Sequence, residues 1–202
     1  GGEYGVALIT GIQGDLYSQN ASGSYMKAVA IVKHSFDYDI EGNHGPADRQ
    51  AFNAVVSAVD QNNYFLPPFK AVITRARAGG LMCSYNGING VPSCMNGDLN
   101  NGVVRDQWGL NDGIIVSDCD AVGDTFATAF IKYKFGGSPE AQVQQGVRGG
   151  CDFDCGKTYG AHLPSALKAG MVNDTDINTA VSRLLKKAFQ LGFFDHANAV
   201  PY

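Results

Sequence analysis

The stretch Gly113-Ile114-Ile115-Val116-Ser117-Asp118-Cys119-Asp120-Ala121-Val122 decides the architecture. Ile114, Ile115 and Val116 form a short apolar run without alternation. Asn111-Asp112-Gly113 bounds it before and Ser117-Asp118 after. Such a run suits a strand buried on both faces, as in a parallel sheet. Two more runs have this form. Ala28-Val29-Ala30-Ile31-Val32 ends at Lys33-His34, and Gly80-Leu81-Met82-Cys83-Ser84-Tyr85 ends in the turn-rich Asn86-Gly87-Ile88-Asn89-Gly90.

Helical patterns lie between and after these runs. Residues 51–59 and 65–77 carry apolar side chains at three- and four-residue spacing, with Pro67-Pro68 suited to the first turn of the second. A third pattern covers 139–147, with Ser138 as its cap. The longest repeats Ile177, Ala180, Val181, Leu184, Leu185, Ala188, Phe189 and Leu191, with Asp174 or Thr175 expected to cap it and Gly192 to stop it. Strand alternating with helix implies parallel pairing and an α/β fold. The choice is between a barrel and an open doubly wound sheet. No glycine-rich phosphate loop follows a strand, which weakens a nucleotide-binding reading. Polar residues do cluster at strand ends, where an α/β barrel keeps its chemistry: Lys33 and His34, Ser84 and Tyr85, Asp118 and Asp120. About four strand–helix units fit, half of an eightfold barrel.

Composition narrows the classes. The 202 residues are 45% hydrophobic and 17% charged, enough apolar material for a core and too little charge for a disordered chain. The net charge of −4 and the lack of a Lys/Arg block argue against nucleic acid as a partner. No apolar run reaches the roughly 18 residues of a membrane span. Gly1-Gly2-Glu3-Tyr4 has neither the basic nor the apolar region of a signal peptide, leaving open a processed terminus or a truncated one. Of Cys83, Cys94, Cys119, Cys151 and Cys155, only the last two are close, and no His flanks them. A secreted protein with one or two disulfides is therefore a better reading than a metal site. Asn20-Ala21-Ser22 and Asn173-Asp174-Thr175 are glycosylation sequons that agree with secretion.

Each candidate residue has a bland reading beside the chemical one. Asp118 can attack an anomeric carbon from a barrel mouth, or cap a turn. Lys33 and His34 can donate to sugar hydroxyls, or be an exposed cation and a structural ring. Arg49 can anchor a hydroxyl or remain a solvated charge. Tyr85 can stack on a sugar or fill core, and Trp108 reads as core or helix packing. His44, His162 and His196 lack partners at metal-like spacing and read as surface or packing residues.

Several blocks together resemble glycoside hydrolase family 3, in its plant and fungal β-xylosidase-like branch. They are Lys33-His34 with Tyr38-Asp39-Ile40-Glu41, then Leu66-Pro67-Pro68-Phe69-Lys70, then the long Met82-Cys83-Ser84-Tyr85-Asn86-Gly87-Ile88-Asn89-Gly90-Val91-Pro92-Ser93-Cys94. Val116-Ser117-Asp118-Cys119-Asp120-Ala121-Val122, Gly150-Cys151-Asp152-Phe153-Asp154-Cys155-Gly156 and Leu191-Gly192-Phe193-Phe194-Asp195 continue the series, from about residue 24 onward. The resemblance implies the C-terminal half of a (β/α)8 TIM-like catalytic barrel. It implies a retaining exo-glycosidase for terminal β-linked sugars, xylose first, with glucose or arabinofuranose as options, and no cofactor. Asp118 would be the nucleophile. Lys33, His34, Arg49, Met82 and Tyr85 would bind the sugar. Cys83–Cys94 and Cys119–Cys155 would be disulfides, leaving Cys151 over.

The chain departs from the family at Ser35, where an aromatic is usual after Lys-His, and at Gly42-Asn43-His44-Gly45-Pro46, which lacks a tryptophan common in this branch. The resemblance implies that the first half of the barrel, and the second domain that supplies the acid/base in this family, lie outside these residues. Asp120, two residues on from Asp118 in what is read as extended chain, is not expected to be that acid. An open half-barrel would leave sheet edges and apolar surface bare, so the rest of the chain or a barrel-completing partner is expected. Two other readings remain: a non-catalytic carbohydrate-binding or structural protein on a degenerate barrel, and an unrelated aldolase-like barrel with Lys33 as Schiff-base lysine.

Overall fold

A computed structural model of the chain describes residues 1–14, 25–42, 48–50, 52–126 and 135–202. Its centre is a parallel sheet of β1 (Ile31–Ser35), β3 (Gly80–Cys83) and β6 (Ile114–Ser117), in the order β1-β3-β6. Gly80 to Cys83 pair in register with Ile114 to Ser117, and a parallel bridge from Val116 to Phe153 extends the sheet beyond β6. A smaller sheet caps it. Its β2 (Asn53–Ala54) lies parallel to β4 (Gly87–Ile88), which turns back antiparallel into β5 (Val91–Pro92).

Helices carry the chain back between parallel strands, as such pairing demands. Residues 58–74 make α2: an opening turn, Ala58–Asp60, a wide π-turn, Gln61–Phe65, and an α-helical part, Leu66–Thr74. The π-helical α3 (Asp98–Gln107) joins β3 to β6. Then come α4 (Pro139–Arg148), α5 (Thr158–Lys168) and α6 (Asp174–Gln190). Before β1 lies α1 (Gly2–Gln13), which packs on α2. The periodicity reading did not anticipate α1, and Gly2, Gly5 and Gly11 explain why, since each lowers helix propensity by roughly 1 kcal/mol. Packing makes up the difference: a Cβ on Gly5 would stand 2.8 Å from a methyl of Val72.

The core lies between the sheet and its helices. Leu81, Cys83 and Ile115 are fully buried and meet Ile73, Val104, Trp108 and Phe36. Side chains alternate along a strand, so Met82 points to the opposite, barrel-inner face, beside its partner Val116. Burying a Leu or Ile fully is worth about 1.5–3 kcal/mol, so these two strand positions fix the facing of the sheet.

Four expectations change. The helix expected at 51–59 is instead the strand β2 and a loop, with the helix starting only at Ala58 behind the cap Ser57; Ala51 lies outside the described residues. The Asn53 and Ala54 backbones answer the 87–92 hairpin, a tertiary demand no local periodicity carries. Strand β1 runs through Lys33 and His34 rather than ending before them. The cap of α6 is Asn173, not Asp174 or Thr175. Its side chain accepts from Asp176 N while Asp176 returns the bond to Asn173 N, a reciprocal capping box. Asp120 is not extended; its φ of 63° places it in a left-handed turn. Ser138 does cap α4, accepting from Ala141 N.

Two helices leave apolar groups uncovered. Leu8 and Ile12 of α1 border a cleft with Ile31 and Val32 of β1. Val181, Leu185 and Phe189 of α6 are exposed. No helix among the described residues is long and apolar enough to cross a membrane.

One buried cation works against the fold. Lys187 on α6 is only 4% exposed, and its ammonium donates to Gln190 Oε1 at 3.0 Å. Burial lowers its pKa to about 8, although Asp112 pulls the other way. The unfolded chain therefore holds this proton up to about pH 10.4 while the folded chain releases it near 8. The burial cost is complete below about pH 8 and fades as pH rises toward 10, at about 3 kcal/mol in full. Lys187→Met should raise stability by about 1–3 kcal/mol at pH 7, with the gain vanishing near pH 10. Urea unfolding at both pH values checks this, and an equal effect at the two would contradict it.

Candidate active site

Three strand ends converge on Asp118. The residue follows β6 directly, and its backbone N–H donates to Cys83 O of β3 at 2.9 Å. That bond continues the β3–β6 ladder by one step and sets where the side chain leaves the sheet. One carboxylate oxygen, Oδ1, accepts from Cys119 N at 2.8 Å. The other, Oδ2, lies 3.2 Å from His34 Nε2 on β1. The side chain of Asp118 keeps 15% of its exposure, so it is shielded yet reachable.

His34 sits in a setting where burial lowers its pKa, against the opposing pull of Asp118. At neutral pH it is a neutral ring whose Nε2 lies against the carboxylate, a close polar contact rather than an ion pair. Tyr85, just past β3, completes the surround. Burial first, then the Asp118 charge beside it, holds its phenol far above the ordinary range, so it stays a protonated donor. Arg49 lies over the Tyr85 ring, 5.4 Å from its centroid, with Nη1 3.5 Å from Glu41 Oε2. Tyr38 tilts between the His34 and Tyr85 rings. Charge, donors and aromatic faces thus meet around one carboxylate.

The structure brings Asp118, His34, Tyr85 and Arg49 together. Met82 lies one strand position before Cys83, on the same inner face as Val116. Lys33 is exposed on β1 and borders the cleft against α1; among the described residues no ion pair joins it to Asp118. His162 lies on α5, 4.0 Å from Glu140, and His196 is exposed, both away from this site. Trp108 is core, edge-on to Phe36. His44 and the rest of 43–47 lie outside the described residues, as does Asn20. Ser35 turns its hydroxyl to Met82 O at 3.2 Å, and its carbonyl accepts from Ser84 N, Ser84 Oγ and Ser93 Oγ. It ties β1 to β3 beneath the pocket instead of facing it.

Of the expected disulfides, Cys83–Cys94 is formed. Cys119 and Cys155 are free cysteines, in contact as thiols rather than bonded. Among the described residues the one close group of potential metal-ligating side chains is Cys83, Cys94 and Cys151, and the disulfide occupies two of these.

The residues that aim β6 escaped the sequence reading. Asp152 N donates to Ile115 O at 2.7 Å, and Asp152 Oδ2 accepts from Ile115 N at 2.8 Å. The same carboxylate pairs with Arg105 and Arg183. Two residues on, Asp154 Oδ1 accepts from Ser117 Oγ, which itself accepts from Cys155 N. The segment 152–155 is therefore laced to β6 on both sides of Val116. Its alternation of Asp with apolar residues was the available signal, since a strand with a polar face next to a dry sheet must answer buried groups.

A parallel sheet with helices on its outer side and a carboxylate at its mouth has the layout of part of an α/β barrel. The chain belongs to glycosyl hydrolase family 3: the model of that family's N-terminal domain matches residues 2–187. Beta-D-xylosidase 3 of Arabidopsis thaliana is 39% identical over 193 residues, covering 96% of this chain and 24% of the relative. Beta-xylosidase/alpha-L-arabinofuranosidase 1 of Medicago sativa subsp. varia is 35% identical over the same shares. The solved GH3 exo-beta-xylosidase XlnD, bound to a xylobiose aziridine probe, superposes with a TM-score of 0.88 at 30% identity, over 98% of this chain and 25% of that one. The chain spans about a quarter of the length of the curated relatives it matches. Its sheet is thus part of a TIM-like barrel, as the strand–helix order implied.

Proposed function

We propose that the chain carries the nucleophile side of a retaining exo-β-glycosidase site that removes terminal β-linked xylose from xylan-type oligosaccharides. The observation that carries this reading is Asp118 at the carboxyl end of a buried parallel strand, held by His34 and faced by Tyr85. Asp118 attacks the anomeric carbon, and the leaving oxygen takes a proton from an acid on the opposite side, giving a glycosyl-enzyme ester. Water then attacks that carbon with the acid, now a base, accepting its proton. His34 passes from the carboxylate to a sugar hydroxyl as the ester forms. Tyr85 and Arg49 donate to further hydroxyls, and Met82 forms an apolar wall.

The reaction needs a second carboxyl group about 5–5.5 Å from the first. We assign it to a second domain beyond these residues, and the remaining barrel strands to further chain beside β1 and α1. Xylose is favoured by the names of the relatives, several of which are also named arabinofuranosidases. Secretion agrees with the Cys83–Cys94 disulfide and with exposed Asn173, whose Oδ1 is used in the cap while Nδ2 is the atom a glycan would take.

The test compares two polypeptides: the 202-residue chain, and these residues joined to the remaining barrel strands and second domain of the family. An activated 2-fluoro-xyloside should label the joined protein on Asp118, and the chain alone should release no sugar from an aryl β-xyloside. Labelling at another carboxylate, or turnover by the chain alone, would overturn the assignment.

A further inference from the structure

The fifth cysteine has no place in the site described above, yet it is not isolated. Cys151 is buried, and its sulfur lies within 4.8 Å of both sulfurs of the Cys83–Cys94 disulfide. Its thiol donates to Phe153 O at 3.4 Å. A thiol beside a disulfide can exchange into it once its sulfur turns to approach along the S–S axis.

We propose that Cys151 exchanges into this disulfide, giving a Cys94–Cys151 bond and a free Cys83 thiol. The Cys151 thiolate attacks Sγ of Cys94, and the Cys83–Cys94 bond breaks with its electron pair leaving on Cys83. That sulfur takes up a proton equal to the one Cys151 gave to solvent. The step is an isomerisation and needs no oxidant.

Cys94 is the sulfur attacked because its segment already touches that of Cys151. A Cβ on Gly149 would stand 2.4 Å from Met95 Cα and 2.7 Å from Cys94 O. Asn100 Nδ2 donates both to Ser93 O and to Gly149 O, at 2.9 and 3.0 Å, fastening the two segments together. Cys83, by contrast, is fixed in the centre of the sheet, between β1 and β6. The new bond also closes a longer loop, which restricts the unfolded chain more. What changes is the restraint on the strand that holds Asp118, since Cys83 O accepts the Asp118 N–H.

The surroundings of the thiol set the pace. Burial pushes its pKa up to about 12, and the Asp152 and Asp154 carboxylates add to that. Tyr159 faces it from α5, its phenol donating to Cys151 O, and Arg105 donates to Gly150 O next to it. Only the thiolate attacks, so exchange should be very slow at pH 7 and rise about tenfold per pH unit up to about 12.

The intact chain is held at pH 7, 8, 9 and 10, within the range where its circular dichroism is unchanged. It is then blocked with N-ethylmaleimide and digested with trypsin. Cys83 and Cys94 share the tryptic peptide 78–105, while Cys151 lies in 149–157. Exchange therefore converts an internally looped peptide into two linked ones, with the maleimide on Cys83. That product should accumulate about tenfold faster per pH unit and be absent from Cys151→Ser and Cys151→Ala. A looped 78–105 peptide that persists unlinked at every pH overturns the proposal, as does the same scrambling in both Cys151 variants.

Discussion

Asp118→Asn, placed in a protein that includes the complementary strands and the acid/base domain, should lower kcat/KM on an aryl β-xyloside by about 10⁴-fold or more. The amide keeps the size of the carboxylate and can still accept from Cys119 N, so the fold around it should stand. What disappears is the charge that attacks the anomeric carbon and then forms the ester. A circular dichroism spectrum and thermal midpoint close to the parent's would separate lost chemistry from lost structure. A further variant sharpens the test. Asp118→Gly opens room where the carboxylate stood, and azide can enter it and attack in its place, with the acid still protonating the leaving group. The product is then a glycosyl azide of inverted configuration, because a single displacement replaces two. If Asp118→Asn keeps more than about a tenth of the parent rate, Asp118 is not the nucleophile, and the convergence of His34 and Tyr85 on it serves only to hold a turn.

Asp118 was legible because a dry strand has few ways to end, and a carboxylate at that point is conspicuous. The same logic exposed β3 and the helices with clean apolar spacing, α2, α4 and α6. The blocks around Lys33-His34 and Met82 to Cys94 carried the family resemblance and hence the partners of Asp118. The parts that stayed hidden depend on contacts distant in sequence. Strand β2 forms because the 87–92 hairpin offers it a ladder, and residues 53 and 54 alone carry no strand period. Helix α1 forms against α2 despite its glycines. The cap of α6 shifted to Asn173 because only that residue has the extended backbone a cap requires. Lys33 and His34 were read as lying beyond a strand when they lie within it, which explains why one of them reaches Asp118 and the other faces the cleft: neighbours on a strand point to opposite sides.

Asp152→Asn should cost about 3–5 kcal/mol of folding stability, more than loss of any other ion pair described. Asp152 has a side chain only 2% exposed, and it answers Arg105, itself 3% exposed, as well as the partly covered Arg183. Burial works against the charge on Arg105, lowering its pKa. The guanidinium is tolerated there because Leu110 O, Gly113 O, Gly150 O and the Asp152 carboxylate surround it. An asparagine in place of Asp152 keeps the shape but removes the countercharge and turns one acceptor into a donor facing an arginine or the Ile115 N–H. The two buried-side cations then lose their compensation, a penalty larger than the net worth of the pair itself. The exposed pair Lys186–Asp112 provides the contrast. Both groups face solvent, and Asp112→Asn should cost no more than about 1 kcal/mol, falling further in high salt. The Asp152 effect should survive 1 M salt, because few ions reach a buried pair. Urea unfolding of both variants at low and high salt measures the difference. A loss at Asp152 that matches the one at Asp112, or that salt removes, would mean that segment 152–155 is held by its backbone bonds to β6 and that the buried charges add nothing. A loss of the expected size instead makes the Asp152 carboxylate the anchor of Ile115, and so of the strand that delivers Asp118 to the site.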